Sequence, residues 1–134
     1  MTSQRKYGNE DSSDEEKEIV KIFVPLTDNP NAPDKDGKTP INWAACNGHI
    51  EIVKILAPLS DKPDMADKDG KTPIFWAAQN GHTEIVKILA PLTDNPNAPN
   101  INGETPIQIA AQNGHTETVN FLSSLTNNLN ASNN

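Results

Sequence analysis

Three histidines are the residues of this chain that most suggest a metal site. His49, His82 and His115 each follow a glycine, and they lie 33 residues apart. A zinc site gathers its ligands around one ion, whereas these three side chains belong to separate copies of one pattern and cannot converge. The spacing therefore favours a structural hydrogen bond at each histidine, and we expect neither a metal nor another cofactor.

Two other groups could in principle do chemistry. Asp34-x-Asp36-Gly37 has the start of a calcium loop, but its glycine comes too early and Ala45 stands where the bidentate glutamate belongs. Cys46 is the single cysteine, and its unit offers no base to activate the thiol. With no glycine-rich loop to hold phosphate, an enzyme is the least favoured function.

An internal repeat supplies the elements that position these residues. The segment Asp-Lys-Asp-Gly-Lys-Thr-Pro-Ile at 34–41 returns unchanged at 67–74 and loosely at 100–107. Residues 34–66 and 67–99 are identical at 25 of 33 aligned positions. A fixed period of this size predicts a stacked array, in which each unit buries its apolar face against its neighbours.

Each unit is predicted to be a turn, a helix, a tight break and a second helix. Asp36-Gly37 marks the turn, and Thr39 can cap a helix whose first turn tolerates a proline. Gly48 can end that helix in a left-handed conformation. Pro58 should stop or bend the second helix, because its ring clashes with the preceding turn.

These motifs resemble the ankyrin repeat. The family's Gly-x-Thr-Pro-Leu-His-x-Ala-Ala matches residues 37–45, and its Gly-His-x-Glu-(Ile/Val)-Val-x-x-Leu-Leu matches 48–56; both return at the 33-residue period. The histidine of the first motif is replaced in the three units by Asn42, Phe75 and Gln108. The resemblance implies an all-α solenoid of helix-turn-helix units joined by β-turn or hairpin loops.

The repeat pattern also predicts the domain limits. Residues 12–126 form the repeat domain, with a half repeat at 12–33 and repeats at 34–66, 67–99 and 100–126. Residues 1–11 are predicted to be a disordered polar tail and 127–134 a polar, frayed tail.

Composition narrows the partners and the compartment. The net charge of −7 argues against nucleic acid as a partner. The polar start and the lack of a long apolar run give no secretion signal and no membrane span. We expect an intracellular monomer, cytoplasmic or nuclear, that binds another protein and no small-molecule substrate.

The resemblance places recognition on a concave surface made by the turns and the first helices. Trp43 and Trp76 should lie side by side there, either as interface anchors or as packing groups. We expect the partner to anchor nearest Trp76, because Phe75 beside it enlarges the aromatic surface. The candidate binding residues are Trp43, Cys46, Asn47, Lys68, Asp69, Lys71, Phe75, Trp76, Gln79, Asn80, Ile101, Asn102, Gln112 and Asn113.

Two kinds of modification are also considered. Ser12 and Ser13 precede acidic residues and could be phosphorylated, although helix capping is the simpler role. The resemblance implies possible hydroxylation at Asn31 and Asn97.

The leading function is a protein-interaction module, namely a scaffold, adaptor or inhibitor. The alternative is a structural, engineered or excised array with no dedicated partner, which the near-identity of two units supports.

Overall fold

A computed structural model describes residues 31–133, with side chains to residue 126, and shows helices joined by turns and no strand in that range. The six helices form three pairs: α1 (Pro40–Asn47) with α2 (Ile50–Leu56), α3 (Pro73–Gln79) with α4 (Thr83–Leu89), and α5 (Pro106–Gln112) with α6 (Thr116–Asn133). The predicted all-α repeat architecture is confirmed. The predicted tail 1–11, most of the half repeat 12–33, and Ser12 and Ser13 lie outside the described residues.

The first helix of each unit begins and ends as its sequence predicts. The Thr39 hydroxyl accepts a hydrogen bond from the Asn42 amide, and Pro40 occupies the first turn. The same cap recurs at Thr72 and Thr105. Gly48 ends α1 with φ of 76°, a left-handed conformation that costs a residue with a Cβ about 1–2 kcal/mol.

Proline sets the length of the second helices. The α-helical geometry of α2 and α4 ends before Pro58 and Pro91, and a single 3-10 turn follows, Ala57–Leu59 or Ala90–Leu92. In the third unit Ser124 takes the place of the proline, and α6 continues for 18 residues to Asn133. Residues 127–133, predicted to belong to a polar, frayed tail, have helical geometry in this structure.

The three residues that replace the family's histidine take three different roles. Asn42 is buried and donates from its amide to the Met65 carbonyl at 3.2 Å, in the loop after α2. Phe75 is buried among apolar groups, with 0% exposure. Gln108 is exposed and completes a capping box with Thr105.

The units stack through both helices and turns. Small residues such as Ala45 and Ala78 are fully buried, which lets neighbouring first helices approach closely. First helices contact one another more extensively than second helices do. We call the turn tips and the outward sides of α1, α3 and α5 the concave face.

Backbone hydrogen bonds join successive turn tips. The Lys68 amide donates to the Asp36 carbonyl, and the Ile101 amide donates to the Asp69 carbonyl, each at 3.0 Å. These bonds need a close approach at the glycine of each turn. A Cβ on Gly70 would lie 2.8 Å from the Ile101 nitrogen, whereas one on Gly103 would meet nothing within 4 Å.

Candidate functional site

An aspartate fixes the tryptophan of the first unit on the concave face. One carboxylate oxygen of Asp34 accepts from the Asp36 and Lys38 amides, both at 2.9 Å. Its other oxygen accepts from the Trp43 indole N–H at 3.0 Å. The same carboxylate therefore both closes the turn and orients the indole.

The second unit repeats this arrangement with more burial. Asp67 accepts from the Asp69 and Lys71 amides at 3.0 Å and from the Trp76 indole at 3.0 Å. Its side chain is 1% exposed. Lys38 of the preceding unit approaches the same carboxylate, with 3.9 Å between Nζ and Oδ2.

Lysines alternate with the indoles along the concave face. The Lys38 ammonium lies 5.4 Å from the Trp43 ring centre and 4.9 Å from that of Trp76. The Lys71 ammonium lies 4.5 Å from the Trp76 ring centre. All three distances are within the range of cation–π attraction. We call Trp43, Lys38, Trp76 and Lys71 the Trp–Lys ladder.

Exposure differs between the two indoles and corrects one expectation. Trp43 is 47% exposed, whereas Trp76, covered by both lysines, is only partly exposed. Phe75 is fully buried and adds nothing to the exposed aromatic surface. The expectation that Phe75 enlarges the surface at Trp76 is therefore wrong, and the most exposed aromatic group of the ladder is Trp43.

Several predicted binding residues make internal contacts between units. The Asn80 amide donates to the Cys46 carbonyl at 2.8 Å, and the Asn113 amide donates to the Gln79 carbonyl at 3.0 Å. Asn47 instead donates to Trp43 within its own helix. The Asn80 and Asn113 amides satisfy carbonyls at helix ends, which lack partners within the helix.

The thiol of Cys46 lies at the junction of the first two units. Burial raises its pKa, and the Asn80 amide, 3.7 Å from the sulfur, opposes that shift. A raised pKa lowers the thiolate fraction at neutral pH. The chemistry of this thiol is thus less suited to nucleophilic catalysis than that of an exposed cysteine.

The turn tips hold most of the remaining predicted residues. Lys68 pairs with Asp36 of the preceding tip at 3.2 Å, and both side chains are well exposed. Asp69 is exposed. In the third tip Ile101 is 68% exposed. Asn102 of that tip and Gln112 of α5 are also exposed.

The third unit ends the ladder through paired changes that the sequence contains. Asn100 replaces the turn aspartate, and nine residues later Ile109 replaces the tryptophan. Asn100 keeps the turn by accepting from the Asn102 and Glu104 amides. Its own amide donates to the Glu104 carboxylate. The aspartate and tryptophan thus change together, a signal that sequence reasoning about the tryptophans alone missed.

The residues considered for metal binding or modification have structural contacts. His115 Nε2 lies 3.1 Å from the Gln79 carbonyl oxygen, which confirms the predicted structural hydrogen bond at that histidine. The Asn97 side chain accepts from the Ile107 amide at 3.0 Å, and Asn31 is partly exposed. Across residues 31–133 no group of three or more His, Cys, Asp or Glu is placed to hold a metal ion.

Hydrogen bonds also set the charge state of the first turn. The Lys38 amide, followed by the Trp43 indole, holds the pKa of the Asp34 carboxyl below its ordinary value. The carboxylate that orients Trp43 is consequently ionised at neutral pH.

No helix within residues 31–133 is long and apolar enough to cross a membrane.

Comparison with known proteins agrees with the geometry. A family model described as ankyrin repeats (3 copies) matches residues 12–65 and 59–134. A search of curated proteins gave no match. Ankyrin repeats are generally protein-interaction modules and are generally not catalytic. The match covers most of the sequence, and the helix pairs, turn tips and caps follow the same period; the chain belongs to the ankyrin-repeat family.

Proposed function

We propose that this chain binds another protein through its concave face, centred on the Trp–Lys ladder. The observation that carries the proposal is Trp43, which is 47% exposed and held in one orientation by Asp34. A fixed aromatic side chain loses little conformational freedom on binding. Tryptophan is also enriched among residues that dominate binding energy.

Binding fits this surface better than catalysis does. The concave face offers the aromatic rings and ammonium groups of the ladder and exposed side-chain amides beside it, which are recognition groups. The carboxylates beside the ladder, those of Asp34 and Asp67, accept hydrogen bonds from turn amides and indoles. The role of scaffold, adaptor or inhibitor depends on which partner the chain meets.

The second candidate is a structural array without a dedicated partner. It is favoured by the 25 identical positions in two adjacent units, because diversified recognition surfaces need differences between units. The internal hydrogen bonds of Asn80 and Asn113 also favour it, since those amides stabilise the stack without any partner.

The experiment is affinity capture from a cell lysate, with the native chain, the Trp43→Ala variant and the Leu92→Ala variant as baits. Leu92 is the matched control, because it is 46% exposed but belongs to the turn after α4. We expect a partner that the native and Leu92→Ala chains retain and that Trp43→Ala loses by at least about tenfold. Circular dichroism first establishes that all three baits are equally helical.

The outcomes separate the two candidates. A partner lost only with Trp43→Ala supports the ladder as the binding site. A partner lost only with Leu92→Ala would place the site elsewhere and contradict the proposal. Absence of any specific partner would favour the structural array.

A further inference from the structure

Lys71 and Lys38 occupy the same place in successive units but have different surroundings. Lys38 lies between two indoles and near a carboxylate, that of Asp67 at 3.9 Å. Lys71 has Trp76 on one side, but the next unit offers Asn100 in place of the aspartate and Ile109 in place of the tryptophan. Lys71 therefore lacks the carboxylate and the second indole that the next unit supplies to Lys38.

No carboxylate within residues 31–126 forms an ion pair with the Lys71 ammonium. The nearest candidate by sequence, Glu104, accepts instead from the Asn100 amide at 2.9 Å. Lys71 is partly buried and lies against the Trp76 ring, so its ammonium has lost part of its water shell. A charge in that position interacts more strongly with an ionic partner than a fully exposed lysine does.

We propose that Lys71 receives an acidic side chain from the bound protein, as the counterpart of the Asp67 carboxylate beside Lys38. This inference rests on the proposed function, because it names the chemistry of the group that the concave face recognises. The Asp67–Lys38 contact shows the kind of group that fits, namely a carboxylate beside an indole and an ammonium.

The test uses a displayed library of random peptides, selected on the native chain. Peptides that bind are synthesised, and their Kd is measured by fluorescence anisotropy against four variants. Lys71→Gln removes the charge. Asn100→Asp, made together with Glu104→Gln so that the new carboxylate does not face the Glu104 carboxylate, supplies an internal carboxylate and can keep the turn, because the equivalent Asp67 accepts two amide bonds in the same way. Lys54→Gln is the matched control, because it removes a lysine charge that already pairs with Glu51 at 3.5 Å on α2, outside the concave face, and Trp43→Ala tests the face itself.

We expect the selected peptides to share an Asp or Glu. Lys71→Gln and the double variant should each weaken their binding about five- to tenfold, the effect of losing a charge-assisted contact at a partly buried site. Lys54→Gln should change it less than about twofold. Replacing the shared acid in the peptide by its amide should remove the sensitivity to Lys71→Gln.

The other outcomes overturn the inference in distinguishable ways. Peptides that depend on Trp43 but share no acid, or that are indifferent to Lys71→Gln, would refute the carboxylate contact and leave the proposed function standing. Peptides indifferent to Trp43→Ala as well, or no selected peptides at all, would count against both. Circular dichroism of each variant excludes unfolding as the cause.

Discussion

The close approach of the turn tips predicts a difference between two chemically identical substitutions. Gly70 and Gly103 both have positive φ, 77° and 80°, and both close the same turn in successive units. A methyl group at Gly70 would lie 2.8 Å from the Ile101 nitrogen and 3.1 Å from two Asn100 backbone carbons. A methyl group at Gly103 would face open space.

The two costs can be worked out from this geometry. Each alanine is strained by about 1–2 kcal/mol in the left-handed region, and about 0.4–1 kcal/mol returns because alanine restricts the unfolded chain. Gly103→Ala should therefore destabilise by about 1 kcal/mol. Gly70→Ala adds overpacking against backbone, about 1–3 kcal/mol, because that backbone is held by the hydrogen bond from the Ile101 amide to the Asp69 carbonyl.

We thus expect Gly70→Ala to cost about 2 kcal/mol more than Gly103→Ala. The measurement is urea unfolding followed by far-UV circular dichroism, with equal m-values as the condition for comparing free energies of unfolding. The shared left-handed strain cancels in the difference, which leaves the contact between the units.

Equal destabilisation, within about 0.5 kcal/mol, would refute this reasoning. It would mean that the turn tips separate at no cost and that their backbone hydrogen bonds contribute little to the stack. A larger cost at Gly103 would contradict the geometry itself.

Two further predictions follow from other contacts. Thr83 and Thr118 share a buried hydrogen bond of 2.6 Å, so Thr83→Val should cost about 1–3 kcal/mol by leaving a hydroxyl unpaired, and the double valine variant should recover part of that in urea unfolding. The pKa of Asp34 is lowered on folding, so its contribution is present above its ordinary pKa of about 3.9 and is lost as pH falls through the folded value. The stability advantage of the native chain over Asp34→Asn should shrink on acidification, and a constant difference from about pH 6 to about pH 2 would contradict this.

Local features of the fold could be predicted because a few residues decide them. Thr39 caps α1, Gly48 ends it, and Pro58 ends the α-helical part of α2, as the sequence indicates. Each effect depends on one side chain and the backbone beside it. The length of α6 was not predicted, because the polar composition of residues 127–134 favours a tail, whereas the absence of a proline at position 124 lets the helix continue.

The candidate site was only partly predictable because its contacts join residues distant in the chain. Helical spacing places position 75 beside position 76, but it does not reveal which side of the helix a loop from the same unit will cover. In the first unit, the hydrogen bond from Asn42 to Met65 shows that this loop covers position 42, which is the equivalent of position 75. The Lys38–Trp76 contact likewise depends on the stacking distance between units, which no single unit contains.

Tryptophan fluorescence reports on only part of this array, because both tryptophans lie in the first two described units. Indole emission will report on the junction of those units, where a carboxylate and an ammonium surround Trp76, and it will be silent about α5 and α6. Helical ellipticity, by contrast, sums over every unit. If the array melts from its carboxyl end, ellipticity will fall before emission changes; if it melts as one body, both signals will share a single midpoint.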